Sequence, residues 1–204
     1  MANETQIAWV GQLLDAYSVN AWRHSVAPEE PDGPGVPPEM QVGPVDDEGW
    51  VEWRVLPSTL SPDQVTALEQ EFQVTFPPLF RAYLLARFHL FDQIKSRHYN
   101  QIVCMPDTPS RNTLASLDFI LSSWQPLIRA GYIPFAQWGD GWGPMCFDST
   151  QRAADGDCPI VWMDHEERAL HDPQQRENRE VLQPLAQPLY SSCKEFLVDV
   201  FGKE

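Results

Sequence analysis

The chain has 204 residues, 43% of them hydrophobic, and a formal net charge of -15, so it is long enough to bury one sizeable core. Its 14 Lys and Arg residues against 29 Asp and Glu residues argue against direct binding to nucleic acid or to an anionic membrane, because both are bound through clustered cations. A basic protein partner fits this charge, and so does the simpler interpretation that it only keeps a cytoplasmic protein in solution.

The N-terminal residues predict an amphipathic helix over about residues 4–22. Asn3 and Gln6 resemble a capping box. Apolar residues recur at helical spacing in this stretch: Ile7, Val10, Leu14 and Tyr17. An acid and no Lys or Arg precede these positions, so the segment is not a signal peptide. No run approaches the roughly 18 apolar residues of a membrane span, and the sequence therefore predicts a soluble protein.

Residues 28–48 differ in composition from the rest of the chain. They hold six prolines, seven acids and no Lys or Arg, which favours an extended acidic loop over a regular helix or a central strand. This is the segment for which we most expect disorder. The acids Asp46, Asp47 and Glu48 near its end are either a solvated charge run or a mimic of an anionic ligand.

A helical hairpin is predicted next. Ser61 is an N-cap, Pro62 takes the first helical position and Gln64 completes a capping box. The buried stripe of this helix is Val65, Leu68 and Phe72. A second helix begins at the Pro77-Pro78 break, and we expect it to bury a further set of apolar residues: Phe80, Tyr83, Leu84, Phe88 and Phe91.

The remaining residues predict strands and two more helices. Gln101–Met105 suits a strand, and residues 112–130 have helical spacing that Pro126 should kink or shorten. The runs YIPFAQW, PMCFDS and CPIVWMDHE predict a strand, tight turn, strand, longer loop and strand. The final segment, LYSSCKEFLVDVFG, predicts a helix capped by Ser191 or Ser192.

The motif GDGWG, residues 139–143, has two interpretations. Its glycine spacing does not match G-x-G-x-x-G, it lacks the Lys and Ser/Thr of a P-loop, and a predicted strand follows it. A hairpin turn with glycines at positive φ explains it better than a nucleotide site. Asp140 and Trp142 then lie at the tip, beside Trp138, and form a protein-binding hot spot unless Trp142 folds back over the sheet.

The run MDHEERALHD carries side chains of the types used in metal sites or acid/base pairs: Asp164, His165, Glu166 and His171. Their spacing does not match H-E-x-x-H, and solvated charge is common where a strand ends. The scattered cysteines, without a Cys-x-x-Cys pair, predict reduced core residues: Cys104, Cys146, Cys158 and Cys193. The sequence predicts no metal, no cofactor and no catalytic residue, with a small hydrolase that uses His165 as an alternative.

The order of these segments resembles the SUKH superfamily, which includes the SMI- and KNR-type cell-wall synthesis regulators. A capped helix with ALE, a Phe-Pro-Pro hinge and an aromatic helix resemble the family's helix pair. YIPFAQWGDGWGPMCFD, VWMDHE and SSCKEFLVDVF resemble its later strand pair, its following strand and its terminal helix. The chain departs from the family where ARFHLFDQIKS replaces an Asn-Gly-Gly turn. The resemblance covers about residues 50–202.

The resemblance implies an α+β fold: a single domain with a central, mainly antiparallel sheet flanked by helices, plus an N-terminal helical extension. We divide the chain into a helix and Pro-rich acidic loop, residues 1–49, and a SUKH-like domain, residues 50–204.

The resemblance also implies a function. Bacterial members are typically immunity proteins that bind and neutralise a protein toxin, often a nuclease, without a cofactor. By position, we expect the toxin to contact Trp138, Asp140, Trp142, Asp148, Asp164 and Glu166, with Asp46, Asp47 and Glu48 as secondary candidates. Asp148 has the alternative role of fixing the sheet edge by bonding to backbone amides. The alternative function is a regulatory scaffold that binds a cellular protein, as in eukaryotic relatives.

Overall fold

Eleven strands and eight helices, with short 3-10 turns, lie within residues 2–30, 33–139 and 141–202, the part of the chain that the computed structural model describes. The helices are α1 (Glu4–Ser18), α2 (Pro62–Phe72), α3 (Pro78–Ala86), α4 (Ala115–Ser123), α5 (Gln125–Arg129), α6 (His165–Ala169), α7 (Arg179–Leu182) and α8 (Cys193–Phe201). The strands are β1 (His24–Val26), β2 (Gln41–Val42), β3 (Trp50–Trp53), β4 (Leu56–Pro57), β5 (Arg87–Phe88), β6 (Gln93–Lys95), β7 (Ile102–Cys104), β8 (Tyr132–Trp138), β9 (Gly143–Asp148), β10 (Ile160–Met163) and β11 (Ala186–Tyr190). None of the helices in these ranges combines the length and apolar content needed to cross a bilayer.

The main sheet has six strands in the order β6-β7-β8-β9-β10-β11, each antiparallel to its neighbours. Spatial order follows chain order, so the predicted meander is confirmed at its centre by β8, β9 and β10. Both faces of the sheet are covered: Phe135 and Phe147 lie in the larger core, while Tyr132 and Cys146 lie in a smaller core on the other face. The predicted α+β fold with a mainly antiparallel sheet is confirmed.

Aromatic rings fill the larger core between the sheet and the helices. The Phe80 ring of α3 lies 5.3 Å from Phe135 and 5.2 Å from Phe147, measured between centroids. Phe135 and Phe147 stack at 4.0 Å. All three side chains are fully buried. Each contributes about 1.5–3 kcal/mol by removing apolar surface from water.

Helix α1 completes this core. The Tyr17 ring packs perpendicular to the Phe91 and Phe201 rings, at centroid distances of 5.0 and 5.3 Å. The Arg87 guanidinium donates two hydrogen bonds to the Asp15 carboxylate, at 2.8 and 2.7 Å. The extension is therefore packed against the domain by an apolar contact and an ion pair.

Several predicted helix boundaries are confirmed and others are wrong. Both capping boxes form, at Asn3 and at Ser61, and Ser192 caps α8. Helix α1 ends at Ser18, before the predicted residue 22. Helix α3 ends at Ala86, because Arg87–Phe88 leaves the helix to pair with Leu56–Pro57.

The break predicted near Pro126 is present. Helix α4 ends at Ser123, and α5 begins at Gln125 with Pro126 in its first turn. Proline is tolerated there because the first amides of a helix have no partner within it.

The Pro-rich acidic segment is more ordered than its composition predicts. Val36 and Met40 are completely buried, and a 3-10 turn over Pro38–Met40 leads directly into β2. Strands β1 and β2 flank β3 in a three-stranded antiparallel sheet. The expected disorder is therefore wrong for these residues, because buried apolar side chains and strand pairing hold the segment.

Residues 31 and 32 lie outside the described ranges. The division of the chain after residue 49 stays a prediction, and it falls between β3 and the two strands with which β3 pairs.

Candidate protein-binding surface

The GDGWG motif is the turn between β8 and β9. All three of its glycines have positive φ: 63° at Gly139, 82° at Gly141 and 147° at Gly143. A side chain at Gly143 would overlap the carbonyl oxygen of Met163, so only glycine fits there. The motif leads into a strand and not into a helix, and the predicted hairpin turn is confirmed. Asp140, a predicted contact residue, lies outside the described residues.

The two tryptophans of this hairpin differ in exposure. Trp138 is only 4% exposed and contacts the Tyr99 ring edge-on at 5.2 Å. Trp142 is 50% exposed, although its ring lies 3.0 Å from the position of a Cβ on Gly139. Trp142 thus folds back over the turn and still presents half of its surface to solvent. Trp138 presents almost none.

The start of α6 lies beside Trp142. The backbone N–H of His165 donates to the carbonyl oxygen of Trp142 at 3.1 Å. The Asp164 carboxylate caps α6 by accepting from the amide of Glu166 at 2.8 Å. The Glu166 side chain is exposed and has no hydrogen-bond or ion-pair partner within the described ranges. We call Trp142, His165 and Glu166 the Trp142 surface.

No three His, Cys, Asp or Glu side chains come together as a metal-binding group within the described ranges. The acidic residues at the start of α6 instead serve as a cap and as exposed charge.

Asp148 is a buried structural residue at the end of β9. Its carboxylate accepts two parallel hydrogen bonds from Arg179, at 2.9 and 2.7 Å, and further bonds from Thr150 and Gln151. Burial alone would raise the pKa of Asp148, but these hydrogen bonds outweigh it and hold the pKa below its ordinary value. The Arg179 guanidinium also lies 4.0 Å above the Tyr132 ring. At 1% exposure, Asp148 offers a partner almost no surface.

The second set of predicted contact residues lies in the turn between β2 and β3. One Asp46 carboxylate oxygen accepts from the amides of Glu48 and Trp50, at 3.0 and 2.8 Å, which orders the turn. The side chains of Asp47 and Glu48 are exposed and, across the described residues, have no ion-pair or hydrogen-bond partner. Asp46 therefore shapes the turn, while Asp47 and Glu48 present free negative charge.

A comparison with family models matches residues 59–198 to the SMI1/KNR4 family, also called SUKH-1. The chain belongs to this family. A comparison with curated proteins gives no significant match. The matched range of this SUKH-1 protein begins just before the Ser61 cap and ends within α8, so it contains the helix pair, the main sheet and the Trp142 surface.

The helix pair of this SUKH-1 protein is joined by a buried ion pair that sequence reasoning missed. Arg81 of α3 bonds to the Glu69 carboxylate of α2, and both side chains are less than 10% exposed. The other Glu69 oxygen accepts from the amide of Phe76 at 2.7 Å, in the hinge between the helices. Glu69 lies in the ALE motif, but nothing in the motif indicates that its carboxylate is buried.

Sequence reasoning also missed an exposed apolar face, which lies outside the range matched to SUKH-1. Residues directly opposite in an antiparallel sheet point to the same side, and in β1, β2 and β3 these are His24 with Glu52, Val26 with Trp50, and Val42 with Glu52. We call the solvent side of this sheet the N-terminal sheet face; it comprises Trp22, His24, Val26, Val42, Trp50 and Glu52. The available signal was the alternation in WVEW, where Val51 and Trp53 are buried and Trp50 is exposed.

Proposed function

We propose that this SUKH-1 protein is an immunity protein that binds and neutralises a basic protein toxin, such as a nuclease, delivered by a neighbouring bacterial cell. Membership of the family supports this proposal, because its bacterial members typically have that role. The observation that carries it is the pairing of exposed tryptophan with exposed carboxylates that have no partner in the described residues, at Trp142 and Glu166 and again at Trp50 and Glu48.

Such surfaces suit a cationic partner. Tryptophan supplies the largest contribution to many protein interfaces, and acidic residues at the rim speed the approach of a basic protein. With a net charge of -15, the whole chain adds to this attraction. A toxin that binds an anionic substrate carries cations in its cleft. An acidic protein can cover that cleft, or compete with the substrate for it, without catalysing a reaction itself.

The nine residues predicted as contacts divide into groups in this proposal. Trp142, Glu166, Asp47 and Glu48 contact the toxin, because their side chains are exposed. Asp46 and Asp164 order the turns that present them. Trp138 and Asp148 act from the interior by holding the hairpin in place. Asp140 remains a proposed contact from its position in the sequence.

The buried thiols favour a binding protein over a cysteine hydrolase. Burial raises the pKa of Cys146 and Cys193 far above the ordinary value, and it raises the pKa of Cys158 to about 11. These groups are therefore neutral thiols at neutral pH, whereas the nucleophilic form of cysteine is the thiolate.

A protection experiment tests the function. A toxin domain is sought in the genes next to this one, and it is expressed from an inducible promoter in a laboratory bacterium, with and without this protein. We expect colony counts to fall on induction and to recover by several orders of magnitude when this protein is present. An unrelated acidic immunity protein of similar size serves as the control for non-specific charge.

Two results would reject the proposal. One is equal killing with and without the protein. The other is the absence of a complex between the purified protein and an inactive form of the toxin domain on size-exclusion chromatography at 0.1 M salt, on the order of physiological ionic strength. Stable binding of a housekeeping protein instead would indicate the regulatory scaffold.

A further inference from the structure

The N-terminal sheet face gathers much of the exposed apolar surface of the described residues. Trp22 is 79% exposed, Val26 48%, Val42 38% and Trp50 41%. Trp22 lies against His24, with ring centroids 4.5 Å apart. Large apolar side chains usually appear singly on a protein surface, and a group on one sheet face indicates a contact site.

Acids surround one end of this face. Val26 of β1 pairs with Trp50 of β3 at this end. Glu29 and Glu30 follow β1 there, and Asp47 and Glu48 precede β3. The amide of Ala27 donates to the carbonyl oxygen of Gly49 at 2.9 Å, which joins the two acidic segments. All four carboxylates belong to exposed residues. Residues 24–53 contain no Lys or Arg, so no cation within this stretch offsets them.

The opposite end of the face is neutralised. Arg23 donates to the Glu52 carboxylate at 3.2 Å and to the carbonyl oxygen of Trp53 at 3.2 Å. The face therefore has a direction: an apolar centre, a neutral end at Glu52 and an acidic end beyond Trp50.

We propose that the N-terminal sheet face docks a basic protein partner whose exposed apolar side chain is flanked by Lys or Arg. The apolar side chain packs between Trp50, Val26 and Val42, and the cations reach Asp47 and Glu48. Under the proposed function, on which this inference rests, that partner is the toxin. A second copy of this chain does not fit, because two proteins that each carry a charge of -15 repel each other.

The position of the face gives it a specific role. It lies entirely before residue 59, where the range matched to the SUKH-1 family begins. The domain shared with the family thus supplies the scaffold, and the added face selects the partner. An immunity protein needs such a selective surface, because specificity is a difference between affinities for competing partners.

The first test measures the affinity of the inactive toxin domain by calorimetry. Trp50→Ala and Trp22→Ala are the face variants, and Phe119→Ala is the matched control, since Phe119 is 67% exposed on α4. We expect Trp50→Ala to weaken binding by about 30-fold, as for a central aromatic hot spot. Phe119→Ala should change affinity by less than about twofold. Thermal unfolding confirms that each variant is folded.

Val26→Lys provides a second variant that does not depend on removing a tryptophan. The side chain is half-exposed at the sheet edge, so lysine is accommodated there. It should weaken binding at least as much as Trp50→Ala, because it places a cation where the basic partner docks. Toxin affinity that is unchanged in all face variants, with protection intact, would overturn this inference and leave the proposed function standing.

A second probe decides the inference if the toxin domain is not bound. It is an acetylated, amidated peptide of alternating Lys and Val, which presents apolar side chains on one side and cations on the other. We expect it to quench tryptophan fluorescence of the protein saturably, and to lose this effect with Trp50→Ala but not with Phe119→Ala. A Glu/Val peptide should have no effect. Equal responses to both peptides, or no response to either, would overturn the inference.

Discussion

The guanidinium of Arg179 donates two parallel hydrogen bonds to the carboxylate of Asp148, at 2.9 and 2.7 Å. This pair connects the end of β9 to α7, and the guanidinium also covers the ring of Tyr132, which belongs to the smaller core. We expect Asp148→Asn to lower the free energy of unfolding by about 2–3 kcal/mol. The asparagine side chain is neutral, and its NH2 group replaces one of the two oxygens that accept from Arg179, so a donor then faces a donor in a buried site. Urea unfolding at neutral pH measures the change.

The same pair predicts an acid-side loss of stability. Because the pKa of Asp148 is lower in the folded protein than in the unfolded chain, its contribution is complete above the ordinary pKa of about 3.9 and disappears as the pH falls through the folded value. When the pH is lowered below about 4, the ordinary aspartate pKa, the Asp148→Asn variant should therefore lose less stability than the unmodified protein does. Parallel curves for the two proteins would contradict this role for Asp148.

The ion pair between Glu69 and Arg81 predicts a strongly non-additive pair of variants. Glu69→Leu alone leaves a buried guanidinium without its carboxylate and should destabilise the protein by about 3–5 kcal/mol. Adding Arg81→Leu should recover most of that loss, because two apolar side chains pack without a buried charge. The double variant should stay about 1 kcal/mol less stable than the unmodified protein, because the Phe76 amide loses its hydrogen-bond acceptor. Additive losses in a double-mutant cycle would show that the two residues act separately.

Two glycines of the β8–β9 turn form a matched pair of tests. An alanine at Gly143 would overlap the Met163 carbonyl as well as adopt a φ of 147°, so we expect a destabilisation on the order of 4 kcal/mol. An alanine at Gly141 would have open space around it, so we expect only the strain of positive φ, which costs about 1–2 kcal/mol. The difference between the melting temperatures of the two variants then reports the cost of the steric overlap between β9 and β10 at Gly143. Equal effects would show that backbone strain alone explains both.

His89 predicts a second pH dependence. Complete burial lowers its pKa to about 3, while the unfolded chain keeps a value of about 6.5. The folded protein therefore excludes a proton that the unfolded chain binds between these values. Stability contributed by the neutral imidazole is complete above pH 6.5 and falls by about 1.4 kcal/mol per pH unit below it, until the folded value is reached.

The matched variant for this prediction is His89→Asn, whose side-chain oxygen can still accept from the Phe91 amide that now donates to the imidazole Nδ1 at 3.2 Å. Between about pH 6 and pH 4 its unfolding free energy should depend less steeply on pH, because unfolding of the variant takes up close to one proton fewer. The comparison uses slopes, so a constant loss from imperfect packing does not affect it. An unchanged slope would place the titrating group elsewhere.

Charge reversal tests the proposed contact acids without disturbing the fold. Glu166→Lys and Glu48→Lys change side chains that have no partner in the described ranges, whereas Asp46 and Asp164 also order the backbone and are poorer choices. Each reversal should slow association with the toxin several-fold at low salt and reduce the salt dependence of the rate. Stopped-flow kinetics at two salt concentrations provides the measurement. A change confined to the dissociation rate would argue against electrostatic steering by these residues.

Features with local signals were predictable from the sequence. The capping boxes at Asn3 and Ser61 depend on residues three positions apart, and both form as expected. The end of α3 was not predictable, because Arg87–Phe88 leaves the helix to pair with a segment about thirty residues earlier. The order of the Pro-rich segment depends on distant packing in the same way, since composition alone does not show that Val36 and Met40 become buried.

The candidate site shows the same limit. Trp138 and Trp142 look alike in the sequence, but a β-bulge between Pro134 and Ala136 shifts the alternation along β8, so counting residues does not show which side Trp138 faces. Asp148 was correctly placed at the end of a strand, but its partner Arg179 follows 31 residues later in a polar stretch without a strong pattern. Which acid is free and which is paired therefore required the structure.

The contact between Tyr17 and Phe201 has a consequence for synthesis of the protein. It joins α1 to α8, two helices that lie far apart in the sequence. During translation, α1 leaves the ribosome while α8 has yet to be made, and domains generally complete their folding as units. The apolar stripe of α1 therefore stays incompletely covered until α8 has been made, and during that time it is open to chaperones that bind short apolar segments.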